Sequence, residues 1–263
     1  MLKKEVHIKI RAFTLAEVLI TLGVIGVVAA LTIPVVMNFA FERQAVSGAK
    51  ETYALLSQAV EQWQEEESCV GDTASCPEVG PPEWPGGAYP HQAGAIGQQL
   101  AKYLKVTDGI YSPSCAQIAS KDWIPSFAYG LNGTQPNPLD TLQPILGKDD
   151  GSQGDCGWGA YMLLSNGTVL KIDGIWWHYD FVFDINGTKR PNRMGKDQFA
   201  GSLYNGTNPT INPYYYATWG GGIGVCDIRS TTCNSDDGYS PMAYVLKYDK
   251  LPDLRKMGYP TSP

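Results

Sequence analysis

The sequence predicts an α+β protein in which a long N-terminal α-helix precedes a small antiparallel sheet with long disulfide-bonded loops. Three observations support this prediction. A stretch without an ionisable side chain, residues 18–37, continues into apolar residues at helical spacing. An Asn-Gly pair joins two β-prone segments further along the chain, and six cysteines all lie downstream of the apolar stretch.

The composition limits the classes of function. The 263 residues carry 20 Lys and Arg against 26 Asp and Glu, a formal net charge of −6. A nucleic-acid partner requires broad neutralisation of phosphates, so no nucleic-acid partner is predicted. The chain is rich in turn formers, with 29 Gly and 18 Pro, but its 15 Tyr, 7 Trp and 7 Phe supply the aromatic side chains that disordered chains lack.

The charges at the N-terminus are arranged as they are around a membrane segment. Residues 1–12 carry Lys3, Lys4, Lys9 and Arg11 against Glu5. The apolar residues that follow span about 30 Å as an α-helix, which is the thickness of the hydrocarbon core of a bilayer. The basic flank stays in the cytoplasm by the positive-inside rule, so everything after residue 37 is expected to be exported. The stretch is therefore a membrane helix or a signal sequence.

One carboxylate, Glu17, lies near the start of this apolar stretch. An acidic group at the bilayer centre costs about 2.5 to 3.5 kcal/mol, so Glu17 is expected to have a cationic partner. If the chain were cut after Ala12, the new α-amino group of Phe13 would supply that cation.

The string FTLAEVLITLGVIGVVAALTIP, residues 13–34, resembles the N-terminal signature of bacterial type IV pilins and type II secretion pseudopilins. In that family a prepilin peptidase cuts before the Phe and methylates the new amine, so the resemblance assigns processing to Ala12 and Phe13. It also implies that Glu17 neutralises the amine of a neighbouring subunit in a filament. Pro34 falls where many pilins have a helix-interrupting proline, which predicts a kink or local unwinding. The family usually has Gly before the cut, so Ala12 predicts slower processing.

The resemblance and the apolar pattern together predict four segments. Residues 1–12 are a cleaved leader, 13–37 a transmembrane and polymerisation helix, 38–67 the exported half of that helix and 68–263 a globular pilin-like domain. The exported half carries an apolar stripe that is expected to face the sheet, formed by Ala45, Ala49, Tyr53, Leu56, Val60 and Trp63.

The implied function is that of a structural subunit, not an enzyme, in a type IV pilus or type II secretion pseudopilus. The implied partners are other pilin or pseudopilin subunits, the prepilin peptidase, an assembly ATPase, a platform protein and membrane lipid. The protein would be a single-pass protein of the inner (cytoplasmic) membrane that enters a cell-surface or periplasmic filament.

The alternative is a secreted or single-pass anchored extracellular domain, binding or enzymatic, that does not polymerise. Residues 28–30, Val-Ala-Ala, offer a signal-peptidase site for the secreted form. Glu17 within the apolar stretch argues against an ordinary signal peptide.

The even number of cysteines predicts disulfides formed in an oxidising compartment. Six cysteines allow 15 pairings, but two pairs each enclose only six residues, so local closure costs little and leaves a third pair. The predicted pairs are Cys69 with Cys76, Cys226 with Cys233, and Cys115 with Cys156. Zinc is the disfavoured alternative, because no C-x-x-C occurs and two histidines remain beyond the leader. A thiolate nucleophile at Cys156, with His178 as its base, is disfavoured because the disulfide would remove the thiolate.

The predicted sheet centres on residues 160–165 and 168–172, which flank Asn166-Gly167. Type I′ hairpin turns prefer this pair because both central positions need positive φ. Residues 181–185 form a third predicted strand, which gives a small antiparallel meander. Residues 105–157 contain five prolines and are predicted to be irregular, whereas residues 241–248 form either a helix or a strand.

The strongest candidate for a metal site lies in residues 184–197. Oxygen atoms of Asp184, Asn186 and Asp197, with backbone carbonyls, would suit a structural calcium ion, and several pseudopilins bind calcium in a loop near their sheet. Against calcium, Lys189 lies where an EF-hand has Gly, and no Glu closes the loop. A structural turn, with its Asp residues paired to Lys or Arg, is the preferred interpretation.

Overall fold

The structure is a computed structural model, and it describes residues 14–70, 76, 90–126, 128–129, 159–175, 178–204, 211–212, 216–217, 224–225, 241–253 and 255. Four helices and eight strands lie in these ranges. The predicted α+β class is confirmed, because a long N-terminal helix packs with an antiparallel sheet. The predicted long loops fall largely outside the described residues.

Helix α1, Leu15–Glu66, is 52 residues long. It continues through Pro34 without interruption, so the helix is not unwound there, and the kink stays a prediction. Its C-terminal end is closed by the N–H of Cys69, which donates to the carbonyl of Gln64 at 2.9 Å, while Ser68 takes a left-handed φ of 56°. This arrangement is the Schellman ending common to helices.

The chain divides into two compact units between Glu42 and Arg43, at a boundary that lies within α1. In the first unit most of the large apolar side chains are exposed, among them Leu15 at 81% and Phe39 at 59%. By length and composition this helix is apolar enough to cross a membrane, which agrees with the predicted apolar helix but does not separate an anchor from a signal sequence.

The second unit is built around one antiparallel sheet of six strands in the sequential order β1 to β6. The strands are β1 Val106–Tyr111, β2 Ala160–Leu164, β3 Val169–Ile175, β4 His178–Asp184, β5 Gln198–Tyr204 and β6 Ile211–Asn212. A separate pair consists of β7 Tyr216–Ala217 and β8 Gly224–Val225. The remaining helices are α2 Pro90–Leu100, α3 Cys115–Ser120 and α4 Pro241–Tyr248. The predicted meander is confirmed and extended.

Helices cover one face of the sheet. The hydroxyls of Thr52 in α1 and Thr168 lie 3.4 Å apart, and Gly48 of α1 faces Ile185 beyond β4. The α1 stripe is buried as predicted, except for Tyr53, which is half-buried. The opposite face buries a second cluster, formed by Ile118, Ile124, Tyr161, Val169, Val182, Met194 and Ala200.

The hairpin between β2 and β3 is confirmed, but its predicted turn type is wrong. Gly167 has a φ of 87°, whereas Asn166 has no positive φ. The N–H of Gly167 donates to the carbonyl of Leu164 at 2.9 Å, so three residues form the loop rather than two. The side chain of Asn166 instead accepts the N–H of Thr168 at 3.1 Å.

The predicted irregularity of residues 105–157 is wrong at both β1 and α3. Strand β1 is ordered by pairing with β2, with one register shift between Val106 and Asp108. Helix α3 begins in a capping box, in which the side chains of Ser114 and Gln117 each bind the backbone N–H of the other. Residues 241–248, for which the sequence left helix and strand open, form a helix, α4.

Candidate functional site

The N-terminal site is the first turn of α1, where Thr14 and Glu17 bond each other reciprocally. The N–H and the hydroxyl of Thr14 both donate to Glu17 Oε2 at 2.8 Å, and the N–H of Glu17 donates to Thr14 Oγ1 at 3.2 Å. This is a capping box, which satisfies backbone donors that a helix start otherwise leaves free. Glu17 therefore caps the start of the helix, a role that the sequence-based interpretation missed although the Thr-x-x-Glu pattern is typical of a capping box.

Glu17 is the one ionisable residue between positions 13 and 41, so the rest of the apolar segment is electrically neutral. The hydroxyls of Thr21 and Thr32 donate to carbonyls of the preceding turn at 2.9 Å, so their polar groups are satisfied by the helix itself. The processing residues Ala12 and Phe13 lie outside the described residues.

The cysteines at the end of α1 form the predicted disulfide. Cys69 and Cys76 are joined with a Cα–Cα distance of 5.2 Å, and both are buried. Cys115 is also disulfide-bonded, whereas its predicted partner Cys156 lies outside the described residues. The pair Cys226 and Cys233 lies outside them too, so this pairing stays a prediction.

The candidate metal residues converge at one end of the sheet. Asp184 ends β4 and Gln198 begins β5, and the two are paired directly across the strands. The loop between them, residues 185–197, returns Asp197 to the same place. Asp184 and Asp197 are both fully buried.

Amide groups bind both carboxylates. Asp197 accepts the backbone N–H groups of Asn192 at 2.9 Å and Arg193 at 2.7 Å, and the side-chain amide of Asn186 at 3.2 Å. Asp184 accepts the N–H of Asn186 and the side-chain amide of Gln198, both at 3.0 Å. Backbone and side-chain amides thus bind both carboxylates, and the predicted pairing of these Asp residues with Lys or Arg stays a prediction.

The burial of these carboxylates changes their acidity. Burial, followed by the nearby negative charge of Asp197, raises the pKa of Asp184 to about 8. Burial also raises the pKa of Asp197 to about 6, although hydrogen bonds from Arg193 and Asn192 oppose the rise.

Asn192 is the residue of this site that sequence reasoning missed. Its side chain is buried, and its φ is 48°. With its amide nitrogen turned inward, Asn192 donates to the carbonyls of Lys189 at 2.8 Å and Gly187 at 3.0 Å, and lies 3.3 Å from Asp184 Oδ2. Asn186 meanwhile turns its own amide nitrogen toward Asp197. The side-chain oxygen of Asn186 is buried without a hydrogen-bond partner among the described residues, and calcium at Asp184, Asn186 and Asp197 stays a prediction.

Within the described residues no group of three or more His, Cys, Asp or Glu side chains is arranged to hold a metal ion. Comparison of the chain with protein-family models, with curated proteins and with solved structures finds no match.

Proposed function

We propose that this protein is a pilin-like structural subunit, assembled through its N-terminal helix into a type IV pilus or a type II secretion pseudopilus. The observation that carries the proposal is the form of α1: one uninterrupted helix whose first part, residues 15–41, is mostly apolar and exposed and has one ionisable side chain, Glu17. One face of the second part of the same helix is buried, from Ala45 to Gln64. One helix thus joins a domain with its own core to an apolar surface that requires other partners.

The apolar part requires a lipid or protein surround, because water around so many exposed aliphatic side chains is unfavourable. Before assembly the subunit remains in the membrane, where lipid covers this surface. In a filament, the apolar helices of neighbouring subunits cover it. An assembly ATPase and a platform protein would drive the transfer between the two states.

Glu17 makes this packing specific. Processing between Ala12 and Phe13 would place a new amine at Phe13, four residues or about one helical turn before Glu17. In an apolar filament interior an uncompensated carboxylate or amine is penalised by several kcal/mol, so each subunit gains by pairing them. The capping box with Thr14 holds the carboxylate at the helix start.

The alternative is a secreted or permanently anchored domain that does not polymerise. It shares the long apolar helix, because a signal sequence and an anchor have the same composition. The three readings differ in the first residue of the mature chain: Phe13 for a processed pilin, Leu31 for signal-peptidase cleavage and Met1 for an unprocessed anchor.

The test is the intact mass and N-terminal peptide of the full chain, expressed in cells that contain a prepilin peptidase. The proposal predicts a mature chain that begins at Phe13 with one added methyl group. Ala12→Gly serves as the matched variant and should increase the processed fraction. A mature chain that begins at Leu31, or one that retains Met1 in both proteins, would exclude the proposed function.

A further inference from the structure

The loop between β4 and β5 brings three oxygen atoms around one buried amide. One terminal atom of the Asn192 side chain faces all three. It lies 2.8 Å from the carbonyl oxygen of Lys189, 3.0 Å from that of Gly187 and 3.3 Å from one carboxylate oxygen of Asp184. Oxygens gathered in this way suit a calcium ion, and they equally suit the N–H groups of a side-chain amide. The two alternatives require opposite orientations of the Asn192 amide.

The other terminal atom of Asn192 decides between them. It faces only hydrogen-bond donors, which suits an amide oxygen and opposes an amide nitrogen. A cation that bound the Asn192 oxygen together with the three loop oxygens would leave the nitrogen directed at those donors. Turning the nitrogen toward the loop oxygens satisfies both ends of the side chain at once.

The carboxylates lead to the same conclusion. The N–H groups of Asn192 and Arg193 and the amides of Asn186 and Gln198 already bind the oxygens of Asp197 and Asp184. Several amide donors around a buried carboxylate replace its lost hydration without requiring a metal ion.

We propose that this loop is a metal-independent lock in which the side-chain amide of Asn192 takes the place of a bound cation. The identity of residue 192 then decides whether the loop binds a divalent cation. A carboxylate at position 192 would add a second anionic ligand beside Asp184 and the two carbonyls, which together form a set suited to Ca²⁺. This inference stands independently of the proposed pilin function.

Asn192→Asp tests the proposal with little change of shape. The backbone accepts it, because the φ of 48° lies in the left-handed region that Asn and Asp tolerate better than most residues. We expect the thermal midpoint of the full chain in detergent to be the same with excess EDTA and with millimolar CaCl2. For Asn192→Asp we expect a midpoint lower by at least about 5 °C in EDTA and restored in CaCl2.

Asn166→Asp is the matched control. Asn166 lies in the exposed β2–β3 turn, and its side-chain oxygen is the hydrogen-bonding atom, so Asp keeps the contact. Its midpoint should follow that of the wild type in both buffers.

Asn192→Ala keeps the test decisive if the Asp variant does not fold. If the amide is the lock, Asn192→Ala lowers the midpoint in EDTA as much as in CaCl2. If a cation is the lock, the wild type is stabilised by CaCl2 and Asn192→Ala loses stability only in that buffer. A wild-type midpoint that rises by several degrees in CaCl2, or calorimetric binding of Ca²⁺ to the wild type, would overturn the proposal.

Discussion

Thr14 and Glu17 close the N-terminal end of α1 together, each accepting the backbone N–H of the other. The same carboxylate that the sequence assigns to charge pairing therefore also shapes the helix start. A Gln at position 17 would preserve the capping box, since capping boxes use Glu or Gln at this place, and would remove only the charge. The two roles of Glu17 can thus be separated by one substitution.

The contact between α2 and β2 predicts a packing defect at one glycine. A Cβ added to Gly97 would lie 2.2 Å from the Cβ of Ala160, whereas one added to Gly48 of α1 would lie 3.4 Å from Ile185. Both Gly→Ala changes gain a similar helix propensity. The difference between the unfolding free energies of the two variants therefore reports the difference in packing. We expect Gly97→Ala to be less stable to urea than Gly48→Ala by about 1 to 3 kcal/mol. Equal stabilities would show that α2 and β2 can move apart freely.

The Cys69–Cys76 disulfide predicts a local contribution to stability. It follows directly on the end of α1, where the N–H of Cys69 binds the carbonyl of Gln64. Replacing both cysteines by Ser should lower the unfolding free energy by about 2 to 3 kcal/mol in the chain-entropy model. Urea unfolding under oxidising conditions measures this difference. A double variant as stable as the wild type would show that the bridge constrains little of the unfolded chain.

The buried carboxylates predict stability that decreases as pH rises. The pKa of Asp184 is raised to about 8 and that of Asp197 to about 6, so the folded chain binds protons more tightly than the unfolded chain. Their contribution is fully present below the unfolded pKa of about 3.9 and is lost as the pH rises from about 4 to about 8. Urea unfolding of the wild type should show this decrease, and Asp184→Asn should reduce it.

Asp108 provides the control for this pH dependence. Hydrogen bonds from Lys121 and then Trp123 lower the pKa of Asp108, so its contribution is lost only in acid, below the window in question. Asp108→Asn should therefore leave the slope between pH 5 and pH 8 unchanged. The assignment of this pH dependence to the buried carboxylates would be contradicted if the slope of unfolding free energy against pH disappeared in Asp108→Asn and persisted in Asp184→Asn.

The elements with long, regular patterns could be predicted from the sequence. The α1 stripe repeats over five turns, and Asn166-Gly167 marks the β2–β3 hairpin. Shorter elements could not, because pairing rather than local preference orders them: β1 depends on β2, and β5 depends on β4. The turn type was wrong because only Gly167 takes a positive φ.

The site at the β4–β5 loop shows the same limit. The oxygen-bearing side chains in residues 184–197 correctly predicted that Asp184, Asn186 and Asp197 are neighbours, since hydrogen bonds join them. The role of Asn192 depends on its left-handed backbone and on a loop that folds back onto Asp184. Neither property has a periodic pattern in the sequence, so the ligand set could not be distinguished from an amide lock.

The measurement that tests the account most directly is the share of Glu17→Gln protein found in filaments sheared from cells, relative to the membrane fraction. The account predicts normal amounts in the membrane, because the helix cap is kept and a costly carboxylate is gone. It predicts a filament share at least about tenfold lower, because each incoming amine loses its counter-charge. Glu42→Gln, at an exposed site of the same helix, should assemble like the wild type. Wild-type filament yield from Glu17→Gln, or no filaments from the wild type itself, would contradict the account.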